Sequence, residues 1–355
     1  MRAPGRRTTQ LPAVLALASF LLSGAAVGAQ GCEPIRFTTP VNLGGQGKAY
    51  QPGHEWRLTL AYRHLNADDW FVGADNSPSR APGGLPGIFE INTFVGDVSY
   101  AATDQIRLQL SVPFQTASFS HIFPDRAIHQ QTAKGIGDIS VMAESWLLDP
   151  RTNESGNVSI GLGLKAPTGS HSQASTYYTA TGPVSFPADQ TIQNGDGGWA
   201  VLTQAQAFRS VTQHVIAYAF GSYMISPKAQ SDVVVVPGST VPWSVPDVYS
   251  AHVGAAYSVL ANQRLTLSLG ARLDGTPVHD LIGGGDDVTN KRPFYLFYTE
   301  PGLSVTNGRG TFTLSTPIRT SVHRELSVFD RKTNNTVAGG GFAKFLVFAS
   351  YSYRL

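Results

Sequence analysis

The feature that most constrains this fold is a two-residue alternation of apolar and polar side chains that returns, segment after segment, along most of the chain. That period places unlike residues on the two faces of an extended strand. Trp56, Leu58, Leu60 and Tyr62 alternate with Glu55, Arg57, Thr59 and Arg63. Phe94, Val98 and Tyr100 mark a second strand, which ends in a tight turn near Thr103 and Asp104. The plainest case follows, with Ile106, Leu108, Leu110, Val112 and Phe114 on one face and Arg107, Gln109, Ser111 and Gln115 on the other. Further strands are expected near 136–148, 157–167, 199–209, 213–225, 248–260, 264–274, 295–305, 310–320 and 342–354, twelve in all. The period blurs over Trp199 to Arg209 and Tyr295 to Val305.

These strands run about ten to thirteen residues. Soluble strands usually have about five or six residues, whereas a tilted strand needs about 9 to 11 to cross the hydrocarbon layer of a membrane. The connections alternate too: short near 101–104, 149–156, 210–212, 261–263 and 306–309, and long near 66–87, 117–135, 168–198, 226–247, 275–294 and 321–341. Short turns on one side and long loops on the other, with an even strand count, are the marks of an outer-membrane barrel. Lipid offers no hydrogen-bond partner, so a spanning sheet must close on itself. The fold class expected is therefore all-β, a closed antiparallel transmembrane β-barrel of about 12 strands in the bacterial outer membrane. Tyr50, Trp56, Tyr62, Tyr100, Tyr257, Tyr351 and Tyr353 fall toward strand ends, where amphipathic rings meet the membrane boundary.

Composition agrees. Charged residues make up 14% of the chain, well under the ~25% of soluble domains. No stretch after the N-terminus approaches the ~18 consecutive apolar residues of a spanning helix. A net charge of +2 and the absence of a basic stripe with interleaved aromatics set nucleic acid aside. At the start of the chain, Arg2, Arg6 and Arg7 precede an apolar run from Leu11 to Val27, which ends in Val27, Gly28 and Ala29. This is the layout of a signal peptide, with cleavage expected after Ala29. The expected organisation is a signal peptide over 1–29, a periplasmic lead-in over 30–49 and a barrel over 50–355. The single cysteine, Cys32, excludes an internal disulfide, and the residues before it make a poor lipid-attachment signal.

Two stretches, GIGDISVMAESWLLDP (Gly135 to Pro150) and NVSIGLGLKAPTGS (Asn157 to Ser170), form a strand, a turn and a return strand closing on Pro-Thr-Gly. With LQLSVPF (Leu108 to Phe114), they resemble the outer-membrane protein family named after the meta-cleavage pathway of phenol degradation. The resemblance implies transport of hydrophobic or aromatic compounds. The last strand, with Phe345, Val347, Ala349, Tyr351, Tyr353 and Leu355 on one face, resembles the C-terminal strand by which barrel assembly machinery recognises its clients. Those signals usually close on Phe or Trp, and this one closes on Leu355. Pro113, Pro167 and Pro317 each lack a ladder donor and are expected at strand ends or bulges.

If the apolar faces meet lipid, the opposite faces meet the lumen. The candidate pore-lining residues are Arg57, Arg63, Arg107, Asp138, Glu144, Lys165, Arg272, Asp274, Arg319 and Lys344. Mixed charge there fits a polar pore or an electrostatic network that plugs a narrow barrel; a twelve-stranded barrel is intermediate between filled and open ones. Strands apolar on both faces, with Phe342, Leu346 and Phe348 inside one and Ile216, Tyr218, Phe220 and Met224 inside another, suit either an apolar solute or packing against an inward-folded loop or the N-terminal segment 30–50.

An outer-membrane lipid hydrolase would need a serine two residues after a histidine, and none of the nine histidines has one; no enzyme is expected. The cluster Gly283 to Asp287 lacks calcium-loop spacing, and Gly161 to Lys165 lacks the Gly-Lys-Ser/Thr of a phosphate loop. Neither a cofactor nor a metal is called for. The expected partners are outer-membrane lipid and lipopolysaccharide, the barrel assembly machinery and a small-molecule solute. The working function is passive passage of a small, hydrophobic or aromatic solute; the alternative is a plugged barrel serving as a surface adhesion or scaffold protein.

Overall fold

A computed structural model describes residues 51–259, 264–283 and 289–355. The signal peptide, the lead-in with Cys32, Tyr50 and most of the Gly283 to Asp287 cluster lie outside the described residues. The chain forms twelve antiparallel staves. They are β1 (Trp56–Val72), β2 (Ile88–Ala101), β3 (Ile106–Ile122), β4 (Ile128–Ile136 continued by Ser140–Trp146), β5 (Gly156–Lys165), β6 (Ala200–Ser210), β7 (Val215–Ile225), β8 (Val248–Ser258), β9 (Leu265–Thr276), β10 (Phe294–Asn307), β11 (Gly310–Ser315 continued by Ile318–Arg324) and β12 (Gly339–Arg354). Each pairs with its sequence neighbour. The ring closes where β12 meets β1, from Arg57 opposite Arg354 to Val72 opposite Gly339. Among the described residues, no edge of the barrel sheet is left for lipid to strand.

The apolar face of each strand points outward. Leu60 is 71% exposed, Leu162 63% and Leu269 60%. A continuous belt of such residues has no place in water and requires hydrocarbon around it. On β3 this outward set runs from Ile106 to Phe114. Beyond Phe114 the phase reverses: Ala117, Phe119 and His121 are buried inside while Ser118 and Ser120 face out. On β1 the same switch falls between Tyr62 and Leu65. The reversal marks the outer limit of the hydrocarbon, because past it the outward face meets water and only the inward face is dry.

This corrects two expected loops. Residues 66–72 and most of 117–135 are strand, so β3 and β4 stand out of the membrane as a hairpin with its turn at 123–127. The apolar alternation had not ended there; it had changed face. The other outer connections also carry structure. The one over 166–199 holds a hairpin (Ala174–Thr179 with Gly182–Pro187) and a short 3-10 turn at Gln190–Ile192. The one over 226–247 holds a second hairpin, and a one-turn helix at Val328–Lys332 precedes β12.

Both interrupted staves lie opposite a proline. The Gly137 N–H donates to the carbonyl of Pro113 at 2.8 Å, which places the donorless side of Pro113 against the break in β4. Likewise the Thr316 N–H donates to Pro301 at 3.0 Å across the break in β11, where Pro317 also stands. A proline cannot complete the ladder toward its neighbour, so the neighbour yields there. Pro167 follows the end of β5. Pro167 and Pro317 stand at strand ends as expected, whereas Pro113 lies inside β3, in register with Val95 and opposite the break in β4.

Candidate functional site: the occluded barrel interior

The inward faces fall into two zones. In the outer half the wall is apolar: Leu65, Phe89, Ile91, Phe119, Phe294, Leu296, Tyr298, Phe342, Leu346 and Phe348 belong to one buried cluster. Two members come from no strand. Ala188 and Ile192, 1% and 0% exposed, belong to the connection between β5 and β6, whose segment 188–196 is buried throughout. An inward-folded loop, one of the expected occupants, shares a cluster with Phe342, Leu346 and Phe348; segment 30–50, the other, lies outside the described residues. The inner faces of Tyr295 to Val305 and Trp199 to Arg209 are apolar at their outer ends, with Phe294, Leu296 and Tyr298 on β10 and Ala200 and Leu202 on β6. That is why their period blurs.

Polar contacts fasten the segment. The Gln115 amide, from the wall, donates to the carbonyls of Ile192 and Gln193 at 3.2 Å each. Gln193 donates to the Ala188 and Gln173 carbonyls at 2.9 and 3.0 Å. At its far end Lys165 Nζ, fully buried, lies 2.8 Å from Asp138 and 2.6 Å from Asp196. Asp138 also accepts from the Gly169 N–H at 2.9 Å. The approach is close enough that a Cβ at Gly195 would lie 2.5 Å from the Gly169 carbonyl and 2.6 Å from Asp138. Asp196 thus ties the loop to a cation on β5 and to the carboxylate at the β4 break.

Below this, the wall is polar and carries two close ion pairs. Arg107 and Glu144 form an ion pair, and Glu144 also accepts from Ser159 at 2.6 Å. Arg272 meets Asp274 at 2.8 Å and Glu300 at 3.7 Å. Asp274 accepts from Ser250 at 2.6 Å, and Glu300 from Ser315 at 2.8 Å. Arg63 is buried and donates to Thr93 at 2.8 Å, while Arg57 is half-buried lower on β1. In the outer half, Arg319 meets Asp69 at 2.5 Å and lies over the Phe71 ring at 4.6 Å.

Lys344 departs from its expected inward position. The register between β1 and β12 shifts between Leu65 and Ala67, and Lys344 is turned out, 60% exposed, with Asp69 at 3.6 Å and Asp68 at 3.8 Å. A bulge adds a residue to one strand and so breaks the inside-outside count. Conversely, Asp196, Ile192 and Glu300 belong to the interior and were not among the expected residues. The signal for Asp196 lay in its flanking Gly195 and Gly197, since residues without a Cβ mark close backbone approach.

No family model matches the sequence, and no curated protein matches it. Among solved structures, an outer-membrane channel from Pseudomonas putida F1 is similar over 86% of this chain and 97% of that one, with a TM-score of 0.61 at 15% identity. At that identity the likeness carries the fold. The chain is an outer-membrane β-barrel. A Pseudomonas aeruginosa FadL homologue (TM-score 0.41, 11% identity, 93% of this chain and 95% of that one) and the Ralstonia pickettii toluene transporter TbuX (0.43, 10%, 88% and 93%) are weaker matches.

Proposed function

We propose that this barrel is a channel for a small, uncharged, apolar or aromatic solute, with segment 188–196 as its moving part. The observation that carries the reading is the apolar wall of the outer half, into which Ile192 inserts. A barrel that served only aqueous solutes would gain nothing from phenylalanines around its interior. The lower wall supports the same solute class. Arg107 pairs there with Glu144 and Arg272 with Asp274, and each pair cancels much of its own field, which weakens selection for an ion. The inward residues Arg57, Arg63, Arg107, Asp138, Glu144, Lys165, Arg272, Asp274 and Arg319 are proposed to line the path once the segment withdraws. Movement is diffusion down a gradient, and selectivity comes from the wall. The motif resemblance to the phenol meta-cleavage family points to the same solute class.

Uptake of radiolabelled toluene by cells with an intact lipopolysaccharide outer membrane tests the reading. Cells carrying the barrel should take it up faster than cells without it. Equal rates would leave a permanently closed barrel with a surface or scaffold role, which the paired charges also fit.

A further inference from the structure

Outside the membrane, the β3–β4 hairpin carries an unusual run of rings. Phe89 and Phe119 stack at 3.9 Å with planes 5° apart, Phe119 and His121 at 4.3 Å and 22°, and His121 and Phe123 at 3.9 Å and 24°. The run continues onto the hairpin of the next loop. Phe123 meets Tyr177 edge-on at 5.2 Å and 74° and Tyr178 edge-on at 5.6 Å and 78°, and Tyr178 stacks on His129 at 3.5 Å and 5°. Its inner end, Phe89 and Phe119, belongs to the buried lumen cluster. Its outer end is half-buried, at Tyr177, Tyr178 and His129.

We infer that this ladder is a capture site for planar aromatic molecules, from which they pass ring by ring into the lumen. The inference rests on the channel reading above and names its solute class more narrowly. Aliphatic side chains would anchor the hairpin as well, because burial follows area and is indifferent to shape. What rings add is a preferred face-to-face geometry. Four of the contacts lie within 24° of parallel. Within each stacked run, Phe89 to Phe123 and His129 with Tyr178, a flat solute that displaces one ring keeps face contact with the next, whereas a puckered one does not; the two runs meet edge-on at Phe123. Strand geometry builds most of the ladder: residues 119 and 121 share the inward face of β3, β2 sets Phe89 directly opposite Phe119, and Phe123 adds its ring from the start of the turn.

The test compares molecules with the same skeleton and different planarity. Binding of benzyl alcohol and of cyclohexylmethanol to the full-length protein in nanodiscs is read by saturation-transfer NMR, and uptake of toluene and of methylcyclohexane is read in cells. Phe123→Leu keeps the apolar volume and removes the ring; Tyr178→Leu does so at the half-exposed rim, where folding is least at risk. Both should weaken benzyl alcohol binding and slow toluene uptake about fivefold, the factor carried by one aromatic pair, and leave the saturated molecules unchanged. Equal losses for both members of each pair, or no loss, would overturn the ladder and leave the rings as a staple of the hairpin. If ring-dependent binding persists while neither uptake exceeds that of cells without the barrel, the channel reading falls and the capture site stands.

Discussion

Removing the Asp196 carboxylate should free the inserted segment. Asp196→Ala deletes the 2.6 Å contact with Lys165 and the 2.8 Å acceptor for the Gly198 N–H. Breaking a buried ion pair costs about 3 to 5 kcal/mol. The lower end applies, because Lys165 keeps Asp138 at 2.8 Å. A loss of about 3 kcal/mol moves the balance between docked and released segment by about 150-fold, since each ~1.4 kcal/mol is a factor of ten. In planar bilayers the ratio of conducting to closed time should rise by about that factor relative to the parent. Maleimide labelling from outside of a cysteine placed by Ile192→Cys, in a chain whose Cys32 is replaced by serine, should speed up in parallel. Closed-time statistics and labelling rates equal to the parent's would refute the latch. They would mean that Gln115 and the apolar wall hold the segment unaided.

Other outcomes follow from the same geometry. Gly195→Ala adds a Cβ 2.5 Å from the Gly169 carbonyl, so it should give the gating change of Asp196→Ala with no change of charge, in the same bilayer recordings. Leu60→Arg places a cation in the lipid-facing belt and should cost about 2 to 4 kcal/mol near the midplane, measured by urea unfolding from phosphatidylcholine vesicles. A cost within about 0.5 kcal/mol, as at ordinary surfaces, would put that face in water. At the tip of the β3–β4 hairpin, the Ala127 N–H, and then His129, hold the Asp125 carboxyl below its ordinary value of 3.8. A depressed carboxylate stabilises the turn above the unfolded value and loses that contribution as pH falls through the folded one. The Ala127 amide resonance should therefore titrate with a midpoint below 3.8; a midpoint at or above it would mean the contact is absent.

How far the fold could be read in advance depended on which solvent each strand face meets. Where β3 crosses lipid, Ile106 to Phe114 announce both the strand and its outward face. Past Phe114 the same alternation continues with Ala117, Phe119 and His121 on the other face, and a search for lipid-facing residues reads it as loop. Lys165 and Asp138 were legible as inward charges, and their separation of 2.8 Å was not. Their other partner, Asp196, lies in a glycine-rich connection with no period at all. Lys344 failed for a related reason: counting by twos assumes an unbroken register, and a bulge breaks it.

The sequence alone determined the closed barrel, its lipid-facing belt and the alternation of short and long connections. These follow from local rules, the two-residue strand period and the demand of hydrocarbon for a satisfied backbone. Only the tertiary structure decided that the connection between β5 and β6 folds inward, that Lys165 finds two carboxylates, and that rings from three strands and a loop hairpin form two stacked runs joined edge-on at Phe123. Those contacts join residues far apart in the chain, and their energies depend on distances that no local pattern encodes.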